Sequence, residues 1–459
     1  MESTIAAIST GLTPSGIIIV RMSGNEAIQI ADRIYRGKNK KKKLADQKTH
    51  TIHYGFIHDK ETDIDEVLVS VMKAPYTYTG EDIIEINCHG GVLVARKVLE
   101  LLIREGAVLA EPGEFTKRAF LNGKMDLSRA EAVIDVIDAK NNFALKAGVS
   151  NLKGTVEKKI RNIREVILDE VSFIEAALDD PEHYDLTGYT ETLNEHLDPV
   201  EQELLYLIRQ SENGSVLKEG IRTVIAGRPN AGKSSLLNLL SGYEKAIVTE
   251  IAGTTRDILE ETVRLKDISL ILMDTAGIRK TEDIVEKIGV DKAKEALSDA
   301  DLILYLIDAK VGETEEDREV LDSLDKKKVI VLKNKTDLIE QEDIKDHEKE
   351  TDTSLYQLNF SALTGEGLES LENKILQMFE KQEIVMNDEV IITNERQKAC
   401  LIRAENALKL VREGIENGAS EEFLTVDLMD IYSSLSQIIG EEVGEDVINR
   451  VFEKFCMGK

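Results

Sequence analysis

Gly227, Gly232, Lys233 and Ser234 stand within GRPNAGKSS (227–235) at the spacing G-x-x-x-x-G-K-[ST]. These residue types at this spacing bind phosphate. Glycines let backbone N–H groups close around phosphate oxygens, the helix start adds partial positive charge, and Lys233 brings a full charge to the β- and γ-phosphates. Ser234 is then placed to ligate Mg2+. The flanks agree, because Ile221, Thr223, Val224, Ile225 and Ala226 suit a buried strand and SSLLNLLSG carries helix formers.

Later strands must carry the rest of such a site. ISLILMD delivers Asp274 of DTAG (274–277), suited to hold Mg2+ through water while Gly277 faces the γ-phosphate. LILYLID follows, and KVIVLKN runs into NKTD (334–337). Asp337 can accept hydrogen bonds from N1–H and the 2-amino group of guanine, which adenine cannot reciprocate, so the nucleotide is GTP. NFSAL (359–363) matches the backbone contact to the guanine oxygen. The ordered set resembles the P-loop GTPases.

Two departures from the Ras-type pattern bear on mechanism. Ile278 stands where Ras-like proteins place a water-orienting glutamine, so a polar substitute is required, and Glu282, Asp283 and Glu286 are at hand. Asn230 lies inside the phosphate loop, where its side-chain oxygen can help hold a monovalent cation. A K+ ion there would neutralise developing charge as an arginine finger does. TEIAGTTRD (249–257) offers threonine hydroxyls and, around Gly253, backbone carbonyls, all hard oxygen ligands.

Residues 1–120 predict an α/β domain: strand 16–24, helix 25–36, strand 66–73, strand 81–91 into a glycine turn, then helix 92–106. From Leu127 the pattern turns helical. Leu145, Val149, Leu152, Val156, Ile160, Ile163, Ile167, Val171, Ile174 and Leu178 recur at steps of three or four, the stripe of one long helix ended by Pro181. A second helix runs to Gln210, and 211–220 reads as a connection. Residues 216–383 form the nucleotide domain, and 384–459 return to helix with Leu401, Leu408, Val411 and Ile415 on one face. The economical arrangement inserts the nucleotide domain into a helical domain made of 121–215 and 384–459; two separate helical domains are the alternative.

A net charge of −28 argues against non-specific coating of nucleic acid. The basic run 36–43, six basic residues in eight, is either a solvated loop or a local RNA contact. Three scattered cysteines indicate neither a disulfide framework nor a zinc site. No apolar run approaches a membrane span and no secretory leader is read, so a cytoplasmic protein is expected.

GRPNAGKSS, TEIAGTTRD, DTAGIRKTEDIVEKIG and NKTD together are similar to the MnmE (TrmE) tRNA-modification GTPase family. So are YTGEDIIEINCHGG, PGEFTKRAFLNGKMDLSRAEAVIDVIDA and the C-terminal FCMGK. The resemblance implies an N-terminal folate-binding-like α/β domain that also dimerises, a discontinuous helical domain, and an inserted Ras-like GTPase domain. It implies GTP hydrolysis coupled to adding an aminomethyl or carboxymethylaminomethyl group to C5 of the tRNA wobble uridine. The partner is an MnmG (GidA)-type protein with FAD and NADH, in a heterotetramer built on a homodimer whose G domains activate each other. The one-carbon unit comes from 5,10-methylene- or 5-formyl-tetrahydrofolate.

By the same resemblance GTP touches Asn230, Ala231, Gly232, Lys233, Ser234 and Ser235; Thr249, Glu250, Ile251, Ala252, Gly253, Thr254 and Thr255; Asp274, Thr275, Ala276 and Gly277; Asn334, Lys335 and Asp337; Ser361 and Ala362. Ser234 and Thr255 match the Mg2+ ligands, and Asn230, Thr249, Ile251 and Thr254 the K+ site. Glu286 matches a glutamate that orients water, joined in catalysis by Lys233 and Asn230, and Arg279 is a switch neighbour. Arg21, Glu85, Lys124 and Lys459 match the folate positions. Cys456 is either a nucleophile in one-carbon transfer or a small buried residue. Met457 and the turn STGLTPSG (9–16) depart from the family pattern. A regulatory switch of the ribosome-assembly type is the competing class, disfavoured because no basic RNA-binding appendage is evident.

Overall fold

The computed structural model describes residues 3–38, 43–184, 186–242, 261–265, 268–273, 297, 299–324, 328–339, 355–379 and 390–458. They divide into two compact units: Met1–Ile134 with Glu157–Leu186 and Glu413–Lys459, and Asp135–Val156 with Thr187–Arg412.

In the first unit β1 (Ile5–Ile8), β2 (Ile17–Ser23), β3 (Tyr35–Gly37), β4 (Thr51–Asp59), β5 (Thr62–Met72), β6 (Ile83–His89) and β7 (Val108–Leu109) form one sheet in the order β3-β4-β5-β6-β2-β1-β7. Strand alternation sorts its two faces. Ile18, Val20 and Met22 of β2, with Ile84, Ile86 and Cys88 of β6, are buried in a core shared with Ala95, Val98 and Leu102 of helix Val92–Arg104. Arg21 and Glu85 take the opposite face, and the antiparallel register sets them directly across from each other.

Helix Ala27–Ile34 stops two residues before the expected end. Tyr35 and Arg36 instead begin β3 against β4, a strand the sequence did not announce. The cause is long-range: the Tyr35 ring fills the space above Gly55, where a Cβ would lie 2.5 Å from it, and its hydroxyl donates to the Tyr54 carbonyl. Residues 39–42 of the basic run lie outside the described residues.

The turn 9–16 closes through Ser9 N–H to the Ile19 carbonyl (2.8 Å) and Ser15 N–H to the Gly90 carbonyl (3.1 Å). A Cβ on Gly90 would sit 1.6 Å from the Ser15 carbonyl oxygen. Gly90→Ala must therefore move one backbone off the other, at a cost of about 1–3 kcal/mol. The expected result is a melting temperature lowered by several degrees, checked by calorimetry; an unchanged value would contradict this contact.

Two helical expectations are corrected. The long stripe is two helices, Asn142–Leu152 and Thr155–Asp179, separated at Lys153–Gly154. Val156, Ile160, Ile163, Ile167, Val171 and Ile174 of the second helix are buried, whereas Leu145 and Val149 of the first and Leu178 at the end of the second are exposed, so the periodicity ran across two elements and past the buried stripe. The second helix runs Tyr189–Glu219, through the stretch read as a connection. Gly214 there is a packing requirement, since a Cβ would come within 2.5 Å of the Ile392 carbonyl oxygen; termination falls to Gly220 at φ +110°. Leu401, Leu408 and Val411 are buried along helix Glu395–Glu416, while Ile415 of the expected face is half-buried.

The second unit holds β8 (Ile221–Gly227), β9 (Glu261–Leu265), β10 (Ile268–Leu272), β11 (Leu302–Asp308), β12 (Val329–Asn334) and β13 (Tyr356–Asn359), in the order β13-β12-β11-β8-β10-β9. All neighbours are parallel except β9 against β10. Leu302, Leu304 and Leu306 of β11 enter one core while Ile303, Tyr305 and Ile307 enter another, so both faces are covered, as a parallel sheet requires. β8 lies between β10 and β11, and the strand order reverses across it, the place where open parallel sheets take ligands at the carboxyl ends of their strands.

Candidate nucleotide-binding site

Strand β8 hands the chain to the loop at Gly227, and helix Lys233–Gly242 follows. Asn230 (φ +63°) and Gly232 (φ +102°) take left-handed conformations that bend the loop. The first-turn N–H groups of this helix have no intrahelical acceptors and face the loop, the arrangement that binds phosphate. Lys233 Nζ donates to the carbonyls of Gly227 (2.7 Å) and Arg228 (2.8 Å), and burial lowers its pKa from the ordinary lysine value. Ser234 and Ser235 are exposed at the helix start.

A second set of residues closes on the loop from β12. Asn334 is 1% exposed; its Nδ2 donates to the Ala231 carbonyl (2.7 Å) and its Oδ1 accepts from Ala362 N–H (2.9 Å). One amide thus ties the phosphate loop to the loop after β13. The amide packs so closely that a Cβ on Gly232 would lie 2.0 Å from Asn334 Nδ2. Asp337 is exposed, with one carboxylate oxygen accepting from Ser361 Oγ (2.6 Å), which aims the carboxylate outward. Lys335, in left-handed conformation, donates from Nζ to Asp308 Oδ2 (2.6 Å). Burial would raise the Asp308 pKa, but the Lys335 and Lys310 hydrogen bonds outweigh it and hold the carboxyl below its ordinary value. The sequence reading missed Asp308; its place at the carboxyl end of a parallel strand was the available signal.

Glu286, Ile278, Arg279, Glu282 and Asp283, together with 249–255 and 274–277, lie outside the described residues, as does Lys459. Among the described residues no group of His, Cys, Asp and Glu forms a metal cluster.

In the first unit, Arg21 donates from Nε to Glu85 Oε1 (2.8 Å), and its Nη2 forms an ion pair with the same oxygen at 2.8 Å. Its guanidinium lies 5.7 Å from the Phe115 ring centroid, and Nη1 reaches the Gly458 carbonyl (3.4 Å). The C-terminal motif is therefore brought to the Arg21–Glu85 pair. Lys124 donates to the Pro75 carbonyl (3.0 Å) and lines a cavity of about 400 Å3 with Asn25, Pro75, Gly80, Glu81 and Asn122. Glu81, unnoticed in the sequence, accepts from Ser23 Oγ (2.7 Å) and Arg118 Nη1 (3.1 Å). Cys456 is exposed, which corrects the reading of a small buried residue: its neighbours Phe452 and Phe455 take the interior instead.

A six-stranded, largely parallel sheet carrying this phosphate loop and an Asn-Lys-x-Asp loop tied to it defines a P-loop GTPase. Residues 127–456 match the family model for the MnmE helical domain and residues 4–124 that for the GTP-binding protein TrmE N-terminus. The chain is 52% identical over 459 residues to the tRNA modification GTPase MnmE of Lachnoclostridium phytofermentans, covering 99% of each. It is 46% identical to that of Acetivibrio thermocellus, over 100% of this chain and 99% of the relative. The MnmE of Bacillus subtilis is also 46% identical, over 99% of this chain and 100% of the relative. The chain belongs to the MnmE family of tRNA modification GTPases.

Proposed function

We propose that this protein hydrolyses GTP in a K+-activated reaction and, with an MnmG-type FAD protein, couples it to aminomethylation of C5 of the tRNA wobble uridine. The observation that carries the GTPase core is Asn334 bridging Ala231 and Ala362, which ties the phosphate loop to the base-side loop and leaves Asp337 to select guanine. Lys233 and the loop N–H groups hold the phosphates. Ser234 and Thr255 would ligate Mg2+, and Asn230, Thr249, Ile251 and Thr254 would ligate K+; these ions supply charge neutralisation when bound. Asn230 fits that role, being exposed and left-handed at the loop's crest. Glu286 orients the attacking water.

The division into an N-terminal domain (1–120), a helical domain (121–215 with 384–459) and an inserted G domain (216–383) belongs to this proposal. So do the homodimer and the cytoplasmic location. Among the described residues no helix is long and apolar enough to cross a membrane. Arg21, Glu85, Lys124 and Lys459 would hold tetrahydrofolate: a pterin edge pairs with a carboxylate and a glutamate tail with basic groups. Cys456, exposed near Arg21's neighbour Gly458, is open to one-carbon chemistry.

Isothermal titration of 5-formyl-tetrahydrofolate into the full chain tests the coupling and separates it from a ribosome-assembly switch. Binding is expected, weakened roughly tenfold or more in Arg21→Ala through loss of charge-assisted hydrogen bonds. A chain that ignored the folate would overturn the one-carbon reading.

A further inference from the structure

The phosphate loop is also braced through the side chain of Arg228, which reaches helix Glu315–Ser323. Arg228 Nη1 donates to Thr314 Oγ1 (3.1 Å) and lies 3.8 Å from Asp317 Oδ2, while Nε lies 3.8 Å from Glu316 Oε2. Thr314 is the N-cap of helix Glu315–Ser323, in a capping box with Asp317. Its hydroxyl donates to Asp317 Oδ2 (2.7 Å) and accepts from Asp317 N–H (3.4 Å) and from Arg228, using its one donor and both lone pairs. Asp317 is 1% exposed, and its other oxygen accepts from the Tyr305 hydroxyl (2.9 Å) on β11. The anchor is thus fixed to a core strand. At the other end, the Arg228 carbonyl accepts both Lys233 Nζ (2.8 Å) and Ala231 N–H (3.3 Å).

We infer that Arg228 is a positioning residue for GTP binding: through Thr314 and Asp317 it bolts the phosphate loop to the cap of helix Glu315–Ser323, and so fixes the carbonyl on which Lys233 rests. The inference builds on the GTP-site reading above. Arg228 makes no contact with phosphate in this scheme. Its loss displaces Lys233 and the loop N–H groups from the ground-state phosphates, which weakens both GTP and GDP and changes the chemical step less.

The test uses the full chain with Arg228→Ala and Arg228→Lys, measuring KM and kcat for GTP, the affinity for fluorescent GDP, and the melting temperature. Arg228→Ala is expected to raise KM and the GDP Kd about tenfold, a charged hydrogen bond discounted for its partial exposure, with kcat within about threefold. The melting temperature is expected to stay unchanged. Arg228→Lys should recover most of the loss, because an ammonium restores a donor to Thr314 and a charge beside Asp317. Unchanged KM and GDP affinity in Arg228→Ala would overturn the inference, as would equal losses in both variants accompanied by a lower melting temperature. A wild-type chain that bound neither nucleotide would instead overturn the GTP-site reading itself.

Discussion

Asp337→Asn is expected to weaken GTP by roughly 10²- to 10⁴-fold, since two hydrogen bonds to a charged acceptor contribute about 1.5–3 kcal/mol each. The carboxylate is held by Ser361 Oγ at 2.6 Å and remains exposed, so its geometry is set before the base arrives. An asparagine in this place presents one acceptor and one donor. Guanine then meets its 2-amino group with an N–H, whereas xanthine offers N1–H and a 2-oxo acceptor that match. The variant should hydrolyse xanthosine triphosphate in preference to GTP, measured by steady-state rates with each. Retained guanine preference would contradict the assignment of Asp337.

Gly232→Ala should abolish nucleotide binding while leaving most of the fold intact. Two costs coincide at this position. A Cβ would lie 2.0 Å from Asn334 Nδ2, and the residue's φ of +102° is one that side-chain-bearing residues rarely adopt. Backbone strain of that kind costs about 1–3 kcal/mol. Moving Asn334 aside would also leave its buried amide and the Ala231 carbonyl unpaired, at about 1–3 kcal/mol more. The loop relieves this by opening, and the phosphate cradle is lost. Fluorescent GTP should show no saturable binding, with circular dichroism near that of the wild type because the β1–β7 sheet has its own core. Affinity within threefold of wild type would show that the loop does not depend on this approach.

The contrast between Gly232 and Asn334 shows what the sequence could reveal. The phosphate loop is legible because its function is local: two glycines, a lysine and a serine at fixed spacing between a strand and a helix. The Asn334 amide that ties Ala231 to Ala362 spans distant segments, so NKTD announced a base reader but not a brace. The same limit hid β3 and β4, which depend on Tyr35 filling the space above Gly55. It also hid the helical course of 211–219, where Gly214 looks like a breaker until the Ile392 carbonyl is seen against it. In the first unit the resemblance placed Arg21 with Glu85, and the register of β2 on β6 puts them across from each other. Burial was harder to foresee: a small interior residue was one of the two readings open for Cys456, yet the two phenylalanines of its segment claim the core.

In the proposed mechanism the phosphate loop of this GTPase uses a monovalent cation held at Asn230. Steady-state GTP hydrolysis by the purified full chain, in K+ and in Na+ at matched ionic strength, is the decisive measurement. Hydrolysis is expected to be faster in K+ by roughly 10²-fold, the scale of removing one stabilising charge from a transition state. Equal rates in the two salts would contradict it and would place activation in another residue or in a partner.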